Sequence, residues 1–327
     1  MTTYLLRRTL LLVPTLFGIT LLTFLLIRLA PGNAALLKGG GENGRAMTAE
    51  ARKQMMQLYD LDQPAPVAYY RMLKKYAHLN LGDSFVDHQP VTTKIFQGLK
   101  VTVPLAGSAL LISYLVAIPL GVVAALKRGQ VTDRSISFVV FILYSIPSFA
   151  AALLLILLVA GGDYLNLLPM YGANSIGAPE MGNWDWLRDR IVHMILPVVC
   201  LTYASLASIS RYSRVSMLDA LAQDFVRTAR AKGLSERAVI LRHALRNALI
   251  PIITIFASEL PILIGGAVII EGIFSLPGMG QLMFQALNAK DEPVIMGITI
   301  FSAVLTLLGY LLADILYVVV DPRISYE

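Results

Sequence analysis

Apolar runs recur along the chain at a length that sets its architecture. Crossing ~30 Å of hydrocarbon takes roughly 20 apolar residues in a helix. Six stretches approach that length: Thr9–Leu29, Val101–Leu126, Ile136–Val159, Met194–Ile209, Leu249–Ile270 and Val294–Val319. The fourth is short and interrupted by Pro197. Pro14, Gly18 and Pro147 lie within others, and such residues are tolerated in membrane helices where neighbours re-satisfy the backbone. Between the first two runs, residues 31–98 are polar and carry both charge signs. Thr48–Leu58 reads there as an amphipathic helix capped by Thr48, Leu61-Asp-Gln-Pro64 as a break and Val67–Ala77 as a second helix. Residues 211–248, between the fourth and fifth runs, are polar and basic. The pattern predicts an all-α polytopic membrane protein. It has one transmembrane domain over residues 1–327, a small helical insertion at 31–98 and a surface loop at 211–248.

Composition agrees. Of 327 residues, 56% are hydrophobic and 15% charged, whereas soluble domains hold nearer a quarter charged residues. The net charge of +6 does not call for nucleic acid, because the basic residues sit in loops flanking apolar runs. Retention of Lys and Arg on the cytoplasmic side, and contact with lipid headgroups, account for them. Lys127-Arg128-Gly129 and the 211–248 loop are thereby placed in the cytoplasm with both termini, and 31–98 outside. Arg7 and Arg8 precede a run followed by Arg28-Leu-Ala-Pro-Gly32 rather than a small-residue cleavage site, so the first run reads as a retained span. Glu271 marks the outer end of span five. Cys200 has no partner for an internal disulfide and reads as a small buried hydrophobe.

The informative chemistry lies in the basic loop. Asp224 opens a run in which Arg227-Thr228-Ala229-Arg230-Ala231-Lys232 are mostly good helix formers, and Gly233 supplies a helix stop. After Leu234, Ser235 is a plausible N-cap, with Glu236 and Arg237 in the next first turn. The spacing predicts helix, turn, helix. A loop of this charge can also serve only to set topology or touch anionic lipid. No phosphate-cradling Gly-x-x-x-x-Gly-Lys-Ser/Thr motif exists, and Gly39-Gly-Gly41 runs into Glu42-Asn43. His78, His88, His193 and His243 are scattered, so no metal site is expected. An enzyme reading has no anchor residue. Glu259 stands near the centre of span five, two residues before Pro261. A charge at that depth costs roughly 2.5 kcal/mol or more. It either lines a translocation route, where it can meet a cationic group, or is satisfied by another subunit or the kinked backbone.

The loop from Asp224 to Gly233, followed by His243-Ala-Leu-Arg-Asn-Ala-Leu-Ile-Pro251, resembles that of permease subunits of binding-protein-dependent ABC importers, nearest to the dipeptide/oligopeptide family. The likeness covers nearly the full length: Leu29-Ala-Pro-Gly32, Asp60-Leu-Asp-Gln-Pro64, Leu81-Gly-Asp-Ser84, Ile118-Pro-Leu-Gly121, Ser145-Ile-Pro147, Glu271-Gly-Ile-Phe-Ser-Leu-Pro-Gly278 and Asp321-Pro-Arg-Ile324. It is nearer the first permease of the pair than the second. Two departures stand out. Asn33-Ala34 replaces the usual Asp-Pro, and Arg227 occupies a position often acidic in ABC permeases, leaving Asp224 as the nearest acidic substitute.

The resemblance implies a type I ABC importer permease (MetI-like) fold in a prokaryotic inner membrane. It implies a homologous second permease, two ATPase subunits that bind ATP and Mg, and an extracytoplasmic substrate-binding protein delivering peptide. It implies that the stretch Asp224–Arg237 is the coupling helix that meets an ATPase, and no cofactor in this chain. Alternatives are the same machine for nickel chelates, glutathione or another small solute, and, from another class, a stand-alone secondary transporter.

Overall fold

The computed structural model describes residues 2–29, 63–161, 164–259 and 265–320. The expected helix at Thr48–Leu58, and Pro261, lie outside the described residues. Helix α1 (Thr2–Leu29) leads to α2 (Ala65–Ala77), α3 (Val91–Leu126), α4 (Val131–Ser145) and α5 (Ser148–Leu155), which ends in a π-helical turn, Ile156–Ala160. Then come α6 (Asn183–Leu221), α7 (Asp224–Ala231) and α8 (Glu236–Ala238). The last continues through a π-helical stretch, Val239–Ala244, into α9 (Leu245–Glu259). Helices α10 (Val268–Ile273), α11 (Met279–Ala289) and α12 (Glu292–Val320) follow. Among the described residues there is no β-strand, only an isolated bridge between Asp83 and Pro90.

Among the described residues five helical segments are long and apolar enough to cross a bilayer, and α4 with α5 supplies a sixth if the pair counts as one span. That pair is bent by 89°. A residue before proline is driven out of the helical region, and Ile146, ahead of Pro147, is extended at φ −88°, ψ 120°. The third span expected at Ile136–Val159 is therefore an angled pair.

Other boundaries also shift. Helix α3 begins at Val91, not Val101, and its 36 residues span about 54 Å at 1.5 Å per residue. Helix α6 has 39 residues and absorbs Trp184 and Trp186 at one end and Arg211–Leu221 at the other. Hydrophobicity registers only the part of a helix inside hydrocarbon, while backbone hydrogen bonding carries it further. The fifth span is not one helix from 249 to 270. Gly266 takes φ +78° and Ala267 φ −100°, ψ 76°, before α10 begins.

Helices α3 and α6 form the central pair. Ser113 Oγ donates to the Thr202 carbonyl at 3.1 Å, and Ser213 Oγ to the Ile118 carbonyl at 3.1 Å. Small and hydroxyl side chains serve as such contacts where lipid supplies no hydrophobic drive between helices. Val101, Leu105, Leu196 and Cys200 are buried in one cluster with Phe274 and Leu276. Cys200 is a buried hydrophobe, as its surroundings in the sequence predict. At the periphery α1 packs on α12 and α2 through Phe24, Tyr69 and Met296. Tyr69 Oη and Thr20 Oγ1 lie 2.9 Å apart.

Candidate functional site

The basic loop is shorter and more ordered than its sequence range suggests. Of residues 211–248, only Ala222–Gln223 and Lys232–Ser235 lie outside helices. Helix α7 ends in a Schellman arrangement. Gly233 N–H donates to the Arg230 carbonyl at 2.9 Å and Leu234 N–H to the Ala229 carbonyl at 3.4 Å, with Gly233 at φ +75°. That left-handed conformation favours glycine, and both bonds satisfy carbonyls that the helix end leaves open. Ser235 then accepts the Ala238 N–H on its side chain at 3.4 Å and starts α8. A helix stop and a helix start are thus joined by Leu234 alone.

The turn is anchored by two residues. Val226 and Ala229 are buried against Met217 and Ala220 of α6, Ala125 of α3 and Val239, Ala244 and Ala248 of the α8–α9 run. Burying a valine side chain stabilises by about 1.5 kcal/mol or more. The remaining positions, Asp224, Phe225, Arg227, Thr228, Arg230, Ala231, Lys232, Gly233, Leu234, Ser235, Glu236 and Arg237, are exposed. Arg230 bridges the turn, donating to Glu236 Oε1 at 2.8 Å and Oε2 at 3.3 Å. The hydrogen bond to Glu236, then its charge, raises the Arg230 pKa. Arg227 reaches back to Asp224 at 3.4 Å. Phe225 and Leu234 add apolar area at 38% and 42% exposure. The surface is rigid, basic and studded with two hydrophobes, which suits contact with another protein.

Close by, Arg214 of α6 donates through Nε and Nη2 to Asp133 of α4 at 2.7 and 2.8 Å, and Gly129 N–H donates to the same carboxylate at 2.9 Å. This bidentate pair ties the α3–α4 turn to α6 one helical segment before the basic turn.

Glu259 lies apart from that cluster, at the last residue of α9. It is half-buried and accepts a hydrogen bond from Tyr114 Oη of α3 at 3.2 Å. The Tyr114 ring meets Phe256 edge-on, centroids 5.4 Å apart at 87°.

A carboxylate expected at a span end turns out to organise the opposite end of the molecule. Glu271 is fully buried. Its Oε1 accepts from Thr102 Oγ1 of α3 at 2.8 Å and from Ala267 N–H at 3.3 Å, and its Oε2 accepts from Gln281 N–H at 2.9 Å. Thr102 Oγ1 in turn accepts from Met279 N–H at 2.8 Å. Gln281 is the third residue of α11, so Glu271 does the work of an N-cap from outside that helix, where the dipole favours a negative charge. The fit demands glycine: a Cβ at Gly278 would sit 2.5 Å from Glu271 Cδ. The run Gly278-Met279-Gly280 after Glu271 was the available signal in the sequence. The partner, Thr102, is far away in the chain and leaves no local trace.

Residues 117–326 match the family described as the binding-protein-dependent transport system inner membrane component, and residues 1–106 match the N-terminal region of such membrane components. The chain is 40% identical over 328 residues to the oligopeptide transport system permease protein AppB of Bacillus subtilis (strain 168), covering 100% of both. It is 36% identical over 340 residues to the dipeptide transport system permease protein DppB of Escherichia coli (strain K12), covering 99% of both. A solved inward-facing structure of the MetNI methionine ABC transporter superposes on 70% of this chain and 97% of its own with TM-score 0.53, at 18% identity, a likeness of fold. With a buried helical framework of MetI type and full-length relatives among the peptide permeases, this chain belongs to the binding-protein-dependent transport system inner membrane component family, as a multi-span membrane permease.

Proposed function

We propose that the chain forms half of the translocation path of an ATP-driven importer of di- or oligopeptides, and that α7 with the Gly233 turn is the surface an ATPase subunit grips. The observation that carries this reading is likeness over the whole length to relatives whose names specify oligopeptide and dipeptide transport. A homologous second permease completes the path, two ATPases supply ATP and Mg, and an extracytoplasmic binding protein delivers cargo. Basic residues concentrate at the turn end, from Lys127 and Arg128 through Arg227, Arg230 and Lys232. That end is accordingly assigned to the cytoplasm with both termini, and the 31–98 insertion to the outer face.

Coupling follows from the packing. Displacement of α7 cannot be absorbed by the turn, because capped helix ends on both sides leave little slack. Motion passes through Val226 and Ala229 to α6 and to the α8–α9 rod. ATP-driven movement of the partner would thus reorient the helices that bound the path.

The test is a reconstituted complex with its ATPases and binding protein. Gly233→Val forces a β-branched residue into the left-handed region, costing about 1–2 kcal/mol. Cargo-stimulated ATP hydrolysis and uptake should fall about tenfold, the factor that 1.4 kcal/mol produces, while the assembled permease pair is still recovered. Arg230→Glu with Lys232→Glu should weaken ATPase retention on the permease. Wild-type stimulation and retention in both variants would sink the coupling assignment.

A further inference from the structure

We propose that Glu259 and Tyr114 form a station for positively charged side chains of the cargo, an ammonium or guanidinium, halfway along the path. The inference rests on the peptide-importer reading and adds a substrate preference to it.

The carboxylates of Glu271 and Glu259 are treated differently by the fold. Glu271 is sealed from solvent and accepts three hydrogen bonds. Glu259 accepts one among the described residues, from Tyr114, and stays half-buried. A carboxylate offers about four lone-pair sites, so most of its accepting capacity is open. The ion pairs among the described residues, Lys94–Asp87, His193–Asp189, Arg214–Asp133, Arg227–Asp224 and Arg230–Glu236, do not involve it. Among the described residues no cation is paired with it, although the Glu271 site demonstrates that this fold can satisfy a buried carboxylate completely.

Depth and surroundings point to cargo. Tyr114 is twelve residues from Thr102 and twelve from Leu126 (114 − 102 and 126 − 114), about 18 Å of helix either way. Glu259 thus lies midway between the Glu271 clasp and the basic end. A charge there is costly unless it faces a water-filled route or a partner. The aromatic pair beside it, Tyr114 edge-on to Phe256, adds ring surface of the kind that attracts cations next to a carboxylate. Glu259 also ends the helical run that starts at the Ser235 cap. Occupancy of the station and position of the gripped turn are then two ends of one rod.

Uptake by the reconstituted complex, with its own binding protein, is measured for Ala-Lys-Ala, Ala-Ala-Ala and Ala-Glu-Ala. Each rate is divided by the wild-type rate for the same peptide, so that selection by the binding protein cancels. Glu259→Gln should lower the Ala-Lys-Ala value about tenfold relative to Ala-Ala-Ala, as expected for loss of a hydrogen bond to a charged group, and raise Ala-Glu-Ala relative to both. Tyr114→Phe frees the carboxylate and keeps the ring, so the lysyl peptide should hold or gain ground. Equal factors for all three peptides in Glu259→Gln overturn the station and leave the importer reading intact. So does an about tenfold loss of lysyl preference in Tyr114→Phe, relative to Ala-Ala-Ala, which is also the deciding result if the glutamine variant does not fold. Absence of ATP-dependent uptake of every peptide by the wild type overturns the importer reading and the station with it.

Discussion

The basic turn and the Glu271 clasp sit at opposite ends of the α3–α6 pair and are built on opposite plans. At the turn, stabilising contacts are short in sequence and open to water: a Schellman stop at Gly233, a serine cap three residues from its donor, and an exposed Arg230–Glu236 pair. At the clasp, one buried carboxylate draws together α3, α10 and α11, across 169 residues of chain in the case of Thr102. The first arrangement makes a rigid surface that another protein can reach. The second makes a joint that nothing reaches, and whose value is to hold a helical hairpin in place. Rigidity for contact is obtained from local capping, and rigidity for framework from nonlocal polar closure in a dry site.

The comparison can be broken most severely at the clasp. Glu271→Ala leaves the Thr102 hydroxyl and the Gln281 and Ala267 N–H groups without their acceptor, at about 1–3 kcal/mol for each buried donor. The yield of folded, monodisperse permease should collapse, read by size-exclusion profile after detergent extraction. A wild-type profile would mean that the joint is dispensable. A smaller effect is expected at the turn. Ser235→Ala removes a cap worth about 1 kcal/mol, so amides at the start of α8 should exchange hydrogen about fivefold faster while the rest of the map is unchanged. Unaltered exchange there would remove the local-capping account. The smallest effect belongs to Glu236→Gln. Exposed ion pairs contribute little, and the thermal midpoint of the complex should not move measurably. A clear drop would show that the turn, like the clasp, depends on its charges.

These differences explain what was legible in the chain. Gly233, Ser235 and Glu236 announced the turn, because capping is written within five residues. Six apolar runs announced the spans, but not their ends: α3 and α6 run well past the hydrocarbon-length segments, and the helix that begins at Asn183 takes in residues 211–221 of the basic loop. Pro147 marked a break in span three without giving its 89° angle. Glu271 looked like a span-end charge and proved to be the centre of a buried joint, since no periodicity records what stands opposite a side chain.

By itself, then, the sequence determined the class of the molecule, the succession of apolar runs, the basic end and the helix-turn-helix, all of which follow from solvent preference and local hydrogen bonding. Only the tertiary structure decided which of two deep carboxylates is closed and which is open. That distinction depends on partners brought from distant helices, Thr102 and Gln281 to Glu271 and, among the described residues, Tyr114 alone to Glu259. Desolvation and hydrogen-bond supply at a point in space are properties of the packed chain.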